Sequence, residues 1–173
     1  KGDQKEWANP EFNDTSWKTK SQSTNLNTSD GKTIADRGEV VWFRKRIKAD
    51  MSLNDALVLN INQRGVSEIY LDGKLIHQLG TASPNIDEVI YYNPRRKILQ
   101  LPLKKGKNQV LAVRFVNVQY QFPIYSDTNG YFRIALSTLS NANSTDVVKN
   151  YYIAGPRQFL NGYHVSLGLS ILI

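Results

Sequence analysis

Two stretches of the chain concentrate side chains able to hold a ligand. Residues 79–95 contain Tyr91, Tyr92, Asn93 and Arg95, with Arg96 directly after them, and residues 119–130 contain Tyr120, Phe122 and Tyr125. Aromatic faces supply flat apolar platforms, and neighbouring guanidinium and amide groups supply directional hydrogen bonds. That combination suits a carbohydrate or another small polar ligand. The same aromatics could instead cap the open ends of a β-sandwich and bury their rings without touching a ligand. Tyr91, Tyr92, Arg95, Arg96, Tyr120 and Tyr125 are therefore the candidate binding residues, with the tyrosines as platforms and the arginines as donors.

Catalysis has no comparable candidate. The sequence contains no Gly-x-Ser-x-Gly elbow, no His-Glu-x-x-His helix and no phosphate-cradling glycine loop. Glycoside hydrolysis needs two carboxylates flanking the scissile bond, and nothing in the spacing of Glu39, Glu68, Asp87 and Glu88 pairs any two of them. The two histidines, His77 and His164, are far apart, and the absence of cysteine excludes disulfides and Cys-based zinc sites. The expectation is a non-enzyme with no cofactor and no metal. Lys and Arg total 22 against 15 acids, a formal charge of +7. Such a balance suits nucleic acid or an anionic membrane surface. The charges are scattered, however, and no nucleic-acid motif is present, so a solvated basic surface and no nucleic-acid partner are expected.

The elements that would position the aromatic stretches read as short strands. Val41, Phe43 and Ile47 alternate with Trp42, Arg44, Arg46 and Lys48, which splits the Arg44-Lys45-Arg46 cluster between two faces. Leu57, Leu59 and Ile61 alternate with Val58, Asn60 and Asn62. Residues 67–71 and 74–78 flank Asp72-Gly73, a pair suited to the two-residue hairpin turn with positive φ at both positions. Leu99, Leu101 and Leu103 alternate up to a turn at Lys104–Asn108. Strands follow at Leu111, Val113 and Phe115 and at Phe132, Ile134 and Leu136. Many short alternating strands joined by turns predict an all-β antiparallel sandwich, with Phe43, Leu59, Ile61, Leu111, Val113 and Phe115 buried.

The flanks differ from this pattern. The first 38 residues are polar and irregular except for Trp7 and Trp17, and the segment between them is rich in turn formers. Residues 139–150 read as a linker. Residues 151–173 become steadily more apolar through Phe159, Leu160, Tyr163, Leu167 and Ile171. Their spacing, with Pro156 at the start, predicts a helix over 157–173. Val165, Leu167, Leu169 and Ile171 also alternate as a strand would. The Tyr- and Arg-bearing flank before the apolar run resembles the approach to a membrane helix, although no stretch reaches the roughly 20 apolar residues a span requires.

Four segments together resemble the galactose-binding-domain-like jelly roll: Phe12-Asn13-Asp14-Thr15-Ser16-Trp17, Trp42-Phe43-Arg44-Lys45-Arg46-Ile47, Tyr70-Leu71-Asp72-Gly73-Lys74 and Lys105 to Val113. The match covers roughly residues 7–138, in order. It is similar to the sugar-binding domains of family 2 glycoside hydrolases and to extracytoplasmic domains of bacterial membrane sensor proteins. The resemblance implies a jelly-roll-like binding domain over 1–138, with Trp17 as a core plug and Arg44 holding a neighbouring loop. In the resembled hydrolases catalysis resides in a separate barrel domain. With the linker at 139–150 and a juxtamembrane-like tail at 151–173, the expected function is a non-catalytic extracytoplasmic ligand-binding sensor domain of a bacterial membrane signalling protein. It would be anchored through its C-terminal continuation, with a carbohydrate or small polar ligand. The alternative is a carbohydrate-binding domain of a glycoside hydrolase. In isolation the apolar tail is expected to dock on the domain or to drive association, as in a homodimer.

Overall fold

The computed structural model describes residues 2–20, 23–25, 38–52, 54–94, 97–118, 131–143 and 169–171. In chain order the strands are β1 (Lys18–Lys20), β2 (Ser23–Asn25), β3 (Val40–Lys48), β4 (Leu57–Gln63), β5 (Gly65–Leu71), β6 (Lys74–Leu79), β7 (Leu99–Gln100), β8 (Asn108–Asn117), β9 (Tyr131–Thr138) and β10 (Leu169–Ile171). They form two antiparallel sheets. One has the order β1-β10-β3-β8-β5-β6 and the other β2-β9-β4-β7. The helical turn α1 (Leu139–Asn143) follows β9.

Alternation along each strand builds the core between the sheets. Val41, Phe43 and Ile47 of β3, Ile69 and Leu71 of β5, and Leu111, Val113 and Phe115 of β8 face Leu59 and Ile61 of β4 and Phe132 and Ile134 of β9. All six residues expected in the core are there. Phe132 bridges the layers, stacked on Phe43 at 4.8 Å between centroids and tilted against Phe115 at 5.0 Å. Offset aromatic pairs of this kind add about 0.5–1.5 kcal/mol to the gain from burial. The Asp72-Gly73 hairpin forms as expected, with φ of 48° and 79°. Asp72 does more than turn the chain: its carboxylate accepts from Val110 N at 2.8 Å and Gln109 Nε2 at 2.7 Å, tying the hairpin tip to β8.

The outer face of the six-stranded sheet is covered as well. Residues 2–17 cross it, and Trp7, Ala8 and Trp17 bury themselves against Trp42 and Ala112, with Phe12 and Tyr70 alongside. Arg44, fully buried on β3, fixes this strap. Its guanidinium donates to Asp14 Oδ2 at 3.0 Å, to the carbonyls of Asn9 at 3.0 Å and Phe12 at 3.5 Å, and to the Trp7 carbonyl. Arg46 reaches the other Asp14 oxygen at 2.7 Å. Burial by itself would raise the Asp14 pKa. The hydrogen bonds from Arg46 and Arg44 outweigh that penalty and hold the carboxyl below its ordinary value. At the margin, Arg114 pairs with Asp3 at 2.5 Å and with Glu68 at 3.5 Å. Trp17 is thus a core plug and Arg44 a loop anchor, as the motifs imply.

Two expectations, one for the Leu99–Leu103 stretch and one for the C-terminal helix, need correction. Leu99, Leu101 and Leu103 do not make one strand: β7 stops at Gln100 because Pro102 has no N–H to offer a ladder and Leu103 N turns back to Leu101 O at 2.8 Å. Residues 139–143 begin the expected linker as a helical turn, seated by Leu139 N on Ala56 O at 2.8 Å and Ser140 N on Asp55 at 2.9 Å. The described part of the predicted C-terminal helix, Leu169–Ile171, is a strand instead. It pairs with β1 on one side and β3 on the other, so the strand alternation prevails there over the helical spacing. The rest of residues 151–173 lies outside the described residues.

Candidate functional site

Strand register brings the strand ends that flank the candidate stretches to one end of the sandwich. Gly65 opposes Asn117, Ser67 opposes Leu79 and Gln63 opposes Phe132. The end of β6, the end of β8 and the start of β9 therefore meet beside the β4–β5 connection. The stretch after β6 and the stretch between β8 and β9 both depart from there. Of the six predicted binding residues, Tyr91 and Tyr92 are described. Arg95, Arg96, Tyr120 and Tyr125 fall outside the described residues.

Residues 80–94 form a braced loop rather than a slack one. Thr81 and Ile90 pair back to back, Thr81 N on Ile90 O at 2.9 Å and Ile90 N on Thr81 O at 3.0 Å. Between them a 3-10 turn at Ile86–Glu88 is capped by Asn85, whose side-chain oxygen accepts from Asp87 N at 3.2 Å. Glu88 accepts from Ser83 Oγ at 3.0 Å and Asn85 Nδ2 at 3.1 Å. Val89 turns inward onto Val66, Val116 and Val118, closing a second small core on the outer face of the six-stranded sheet. Gly80 makes the closure sterically feasible. Its φ is +87°, and a Cβ there would collide with the Ile90 carbonyl.

The base of the loop is pinned by an amide network. Gln63 continues the inward parity of Leu57, Leu59 and Ile61 and is completely buried. Its Nε2 donates to Tyr92 O at 2.8 Å and Gly65 O at 3.1 Å, and its Oε1 accepts from Ser67 Oγ at 2.8 Å. Asn93 donates to Asn62 Oδ1 at 2.9 Å and accepts from Gln63 N at 3.4 Å. A fully satisfied buried network of this kind fixes backbone position, because any displacement leaves a buried polar group unpaired.

The platform carried on this base is split in character. Tyr92 is half-buried against the main core and lies 5.3 Å beneath the Lys97 ammonium. Its hydroxyl raises the Lys97 pKa above the ordinary value through a hydrogen bond. Tyr91 is 45 % exposed and Ile90 64 % exposed, which puts a ring and an aliphatic side chain in water on a rigid backbone. Tyr92 thus packs in part against the core, and Tyr91 is the more exposed ring of the two. Sequence reasoning missed Gln63, Asn62, Ile90 and Lys97. The signal for Gln63 was present: an amide at a core parity position, two residues before a glycine.

Elsewhere the chemistry is structural. His77 Nε2 lies 2.8 Å from Gln100 O and links the edge strands β6 and β7 of the two sheets. Glu68 accepts from the Tyr70 hydroxyl at 2.6 Å; burial, then this hydrogen bond, push the Tyr70 pKa up. Among the described residues no three His, Asp or Glu side chains converge as a metal site. A shallow groove of about 430 Å³ is lined by Lys5, Glu6, Ala8, Asn9, Pro10, Asp72 and Gly73, at the hairpin tip on the opposite end, and offers no aromatic platform.

No family model and no curated protein matches the chain. Solved structures similar to it include those of a β-glucosidase from Kluyveromyces marxianus. Its selenomethionine form is 16 % identical with a TM-score of 0.42, over 67 % of this chain and 14 % of that one. Its complex with glucose is 17 % identical with the same TM-score, over 68 % of this chain and 13 % of that one. The chain therefore spans only about a seventh of that enzyme's length.

Proposed function

We propose that the chain is a non-catalytic ligand-binding domain that takes a carbohydrate or small polar ligand at its loop end. The observation carrying this reading is the braced 80–94 loop, in which a buried amide network and a positive-φ glycine hold Ile90 and Tyr91 out in water. An exposed aromatic on a pre-set backbone loses little entropy on binding, the condition a weakly held polar ligand needs. Asn93 of the same loop and Lys97, which lies over the neighbouring Tyr92 ring, add polar groups to the segment. The candidates Arg95, Arg96, Tyr120 and Tyr125 lie outside the described residues and enter this reading from the sequence alone. Titration of the whole chain against a panel of mono- and oligosaccharides, followed by backbone amide NMR shifts, tests the reading. Shifts should centre on residues 89–94 and vanish in Tyr91→Ala. Saturable binding mapped to the outer strap or the hairpin tip would overturn the placement.

In the full protein the domain is proposed to serve as an extracytoplasmic sensor in a bacterial membrane signalling protein. Support comes from the apolar C-terminal segment and from β10, which knits that segment into the larger sheet between β1 and β3. A ligand with different affinity for two arrangements of the sandwich would bias that pairing, as any population shift requires. The same strand also favours the second reading, a carbohydrate-binding domain of a glycoside hydrolase, since a segment paired inside a sheet is not thereby on its way into a bilayer. Fractionation of the intact gene product decides between them. Recovery in the membrane pellet after a high-salt wash supports the sensor, and recovery in the soluble fraction supports the hydrolase module.

A further inference from the structure

The end of the sandwich opposite the aromatic loop has a chemistry of its own. Lys48 closes β3 opposite Asn108, Lys104, Lys105 and Lys107 occupy the turn before β8, and Lys74 follows the hairpin tip. Gly106 N bonds to Ala49 O at 2.8 Å, and Lys104 N bonds to the Gln109 side chain that also holds Asp72. These contacts bring the three segments together. All five lysines are exposed, and among the described residues none is in an ion pair. Four carboxylates of the described residues share this end: three are tied down locally, and Glu6 lines the groove beside Asp72. Asp50 accepts from Ser52 N at 2.7 Å, Asp55 from Ser140 N at 2.9 Å, and Asp72 from Val110 N at 2.8 Å. The three aspartates are held close to the backbone, while the ammonium groups extend on long flexible stems. Beside the lysine turn sits Met51, 70 % exposed, its sulfur 2.8 Å from where a Gly106 Cβ would be.

We propose that this basic end seats on the surface of an anionic phospholipid bilayer. Lysines around a protruding apolar side chain match a surface of negative headgroups over hydrocarbon. β10 runs antiparallel to β3 and so heads back toward the loop end, and the seat proposed here does not depend on a C-terminal anchor. A domain resting on this end points Tyr91 and its loop away from the membrane, toward solvent-borne ligand. The choice of a bilayer as occupant rests on the lysines and Met51 rather than on the sensor reading, and the vesicle assay below reads a different face from the Tyr91 assay, so either can fail alone.

The test is sedimentation of the whole chain with vesicles of neutral phosphatidylcholine and with vesicles containing 30 mol % phosphatidylglycerol (~30 %, a load that gives a surface potential of the order of tens of millivolts). Each lysine near an anionic leaflet strengthens partitioning about fivefold. The triple variant Lys104→Gln, Lys105→Gln, Lys107→Gln should therefore bind the anionic vesicles about a hundredfold more weakly, with an unchanged circular dichroism spectrum. Binding should fall as salt shortens the Debye length below about 10 Å. Three results would each overturn the proposal: no uptake by anionic vesicles at low salt, equal uptake by neutral vesicles, or anionic binding undiminished in the triple variant. Preferential capture of the patch by duplex DNA over the vesicles would overturn it in favour of a nucleic-acid partner.

Discussion

Replacing Arg44 with methionine keeps most of the side-chain volume and removes the guanidinium on which the strap depends. Four acceptors lose their donor: one Asp14 oxygen and the carbonyls of Trp7, Asn9 and Phe12. The cation also leaves the rings of Phe12 and Trp17, over which it sits at 5.5 and 5.9 Å. Removing one partner of a buried ion pair costs about 3–5 kcal/mol. Asp14 retains Arg46 at 2.7 Å, which places the expected loss at the lower end, about 3 kcal/mol. For a chain of this size that is a fall in Tm of about 6–12 °C. Urea unfolding followed by tryptophan fluorescence is the natural assay, because all three tryptophans, Trp7, Trp17 and Trp42, lie in the strap cluster. The cycle with Asp14→Asn separates pairing from packing. Asp14→Asn alone should cost about 2 kcal/mol, and in the Arg44→Met background under about 1, because the charge it removes is no longer fully compensated. A loss below about 1 kcal/mol for Arg44→Met, or strict additivity of the two substitutions, would refute the assignment of Arg44 as the strap's anchor.

Asp14 also sets a pH dependence: its folded pKa is depressed, so its contribution is present above the ordinary carboxylate value and is lost as pH falls through and below it. Tm should drop between about pH 5 and 2 more steeply in the wild type than in Asp14→Asn. Gly80→Ala meets both a positive φ and the Ile90 carbonyl, and should cost about 1–3 kcal/mol, with amide exchange speeding up across 81–92. Gln63→Leu strands the Ser67 hydroxyl and the Tyr92 and Gly65 carbonyls, for a loss of about 2–4 kcal/mol on urea unfolding. Tyr91→Ala, at a half-exposed ring, should change stability by under about 0.5 kcal/mol and abolish saccharide binding in the NMR titration.

Strand alternation made the inner core legible, since the parity of Phe43, Leu59, Leu111 and Phe115 depends only on the two-residue repeat. Asp72-Gly73 was legible because few residue pairs accept positive φ twice. The outer layer was not. Trp42 and Arg44 fall on the face that alternation assigns to solvent, and only the crossing of residues 2–17 over that face explains why both are buried. The brace of the 80–94 loop was hidden for a similar reason: Gln63, Asn93 and Ser67 are far apart in sequence, and no local pattern joins them. Leu169–Ile171 satisfied two periods at once, and pairing with β1 and β3 decided between them.

The position of β10 has a consequence for how the chain is made. Its two neighbours, Lys18–Lys20 and Val40–Lys48, precede β4 in the chain, while β10 itself is translated only after all the other strands of both sheets. At about 5–20 residues per second, the interval between synthesis of β1 and of its partner is roughly 7–30 s. During that time the emerging β3 can pair with β8 once residue 117 is out, but its other edge stays open, and open edges are templates for mispairing. Vectorial synthesis therefore presents a nearly finished sandwich with one unfilled slot. A nascent chain stalled before residue 169 should bind holdase chaperones and add strands from its neighbours far more readily than the released protein does.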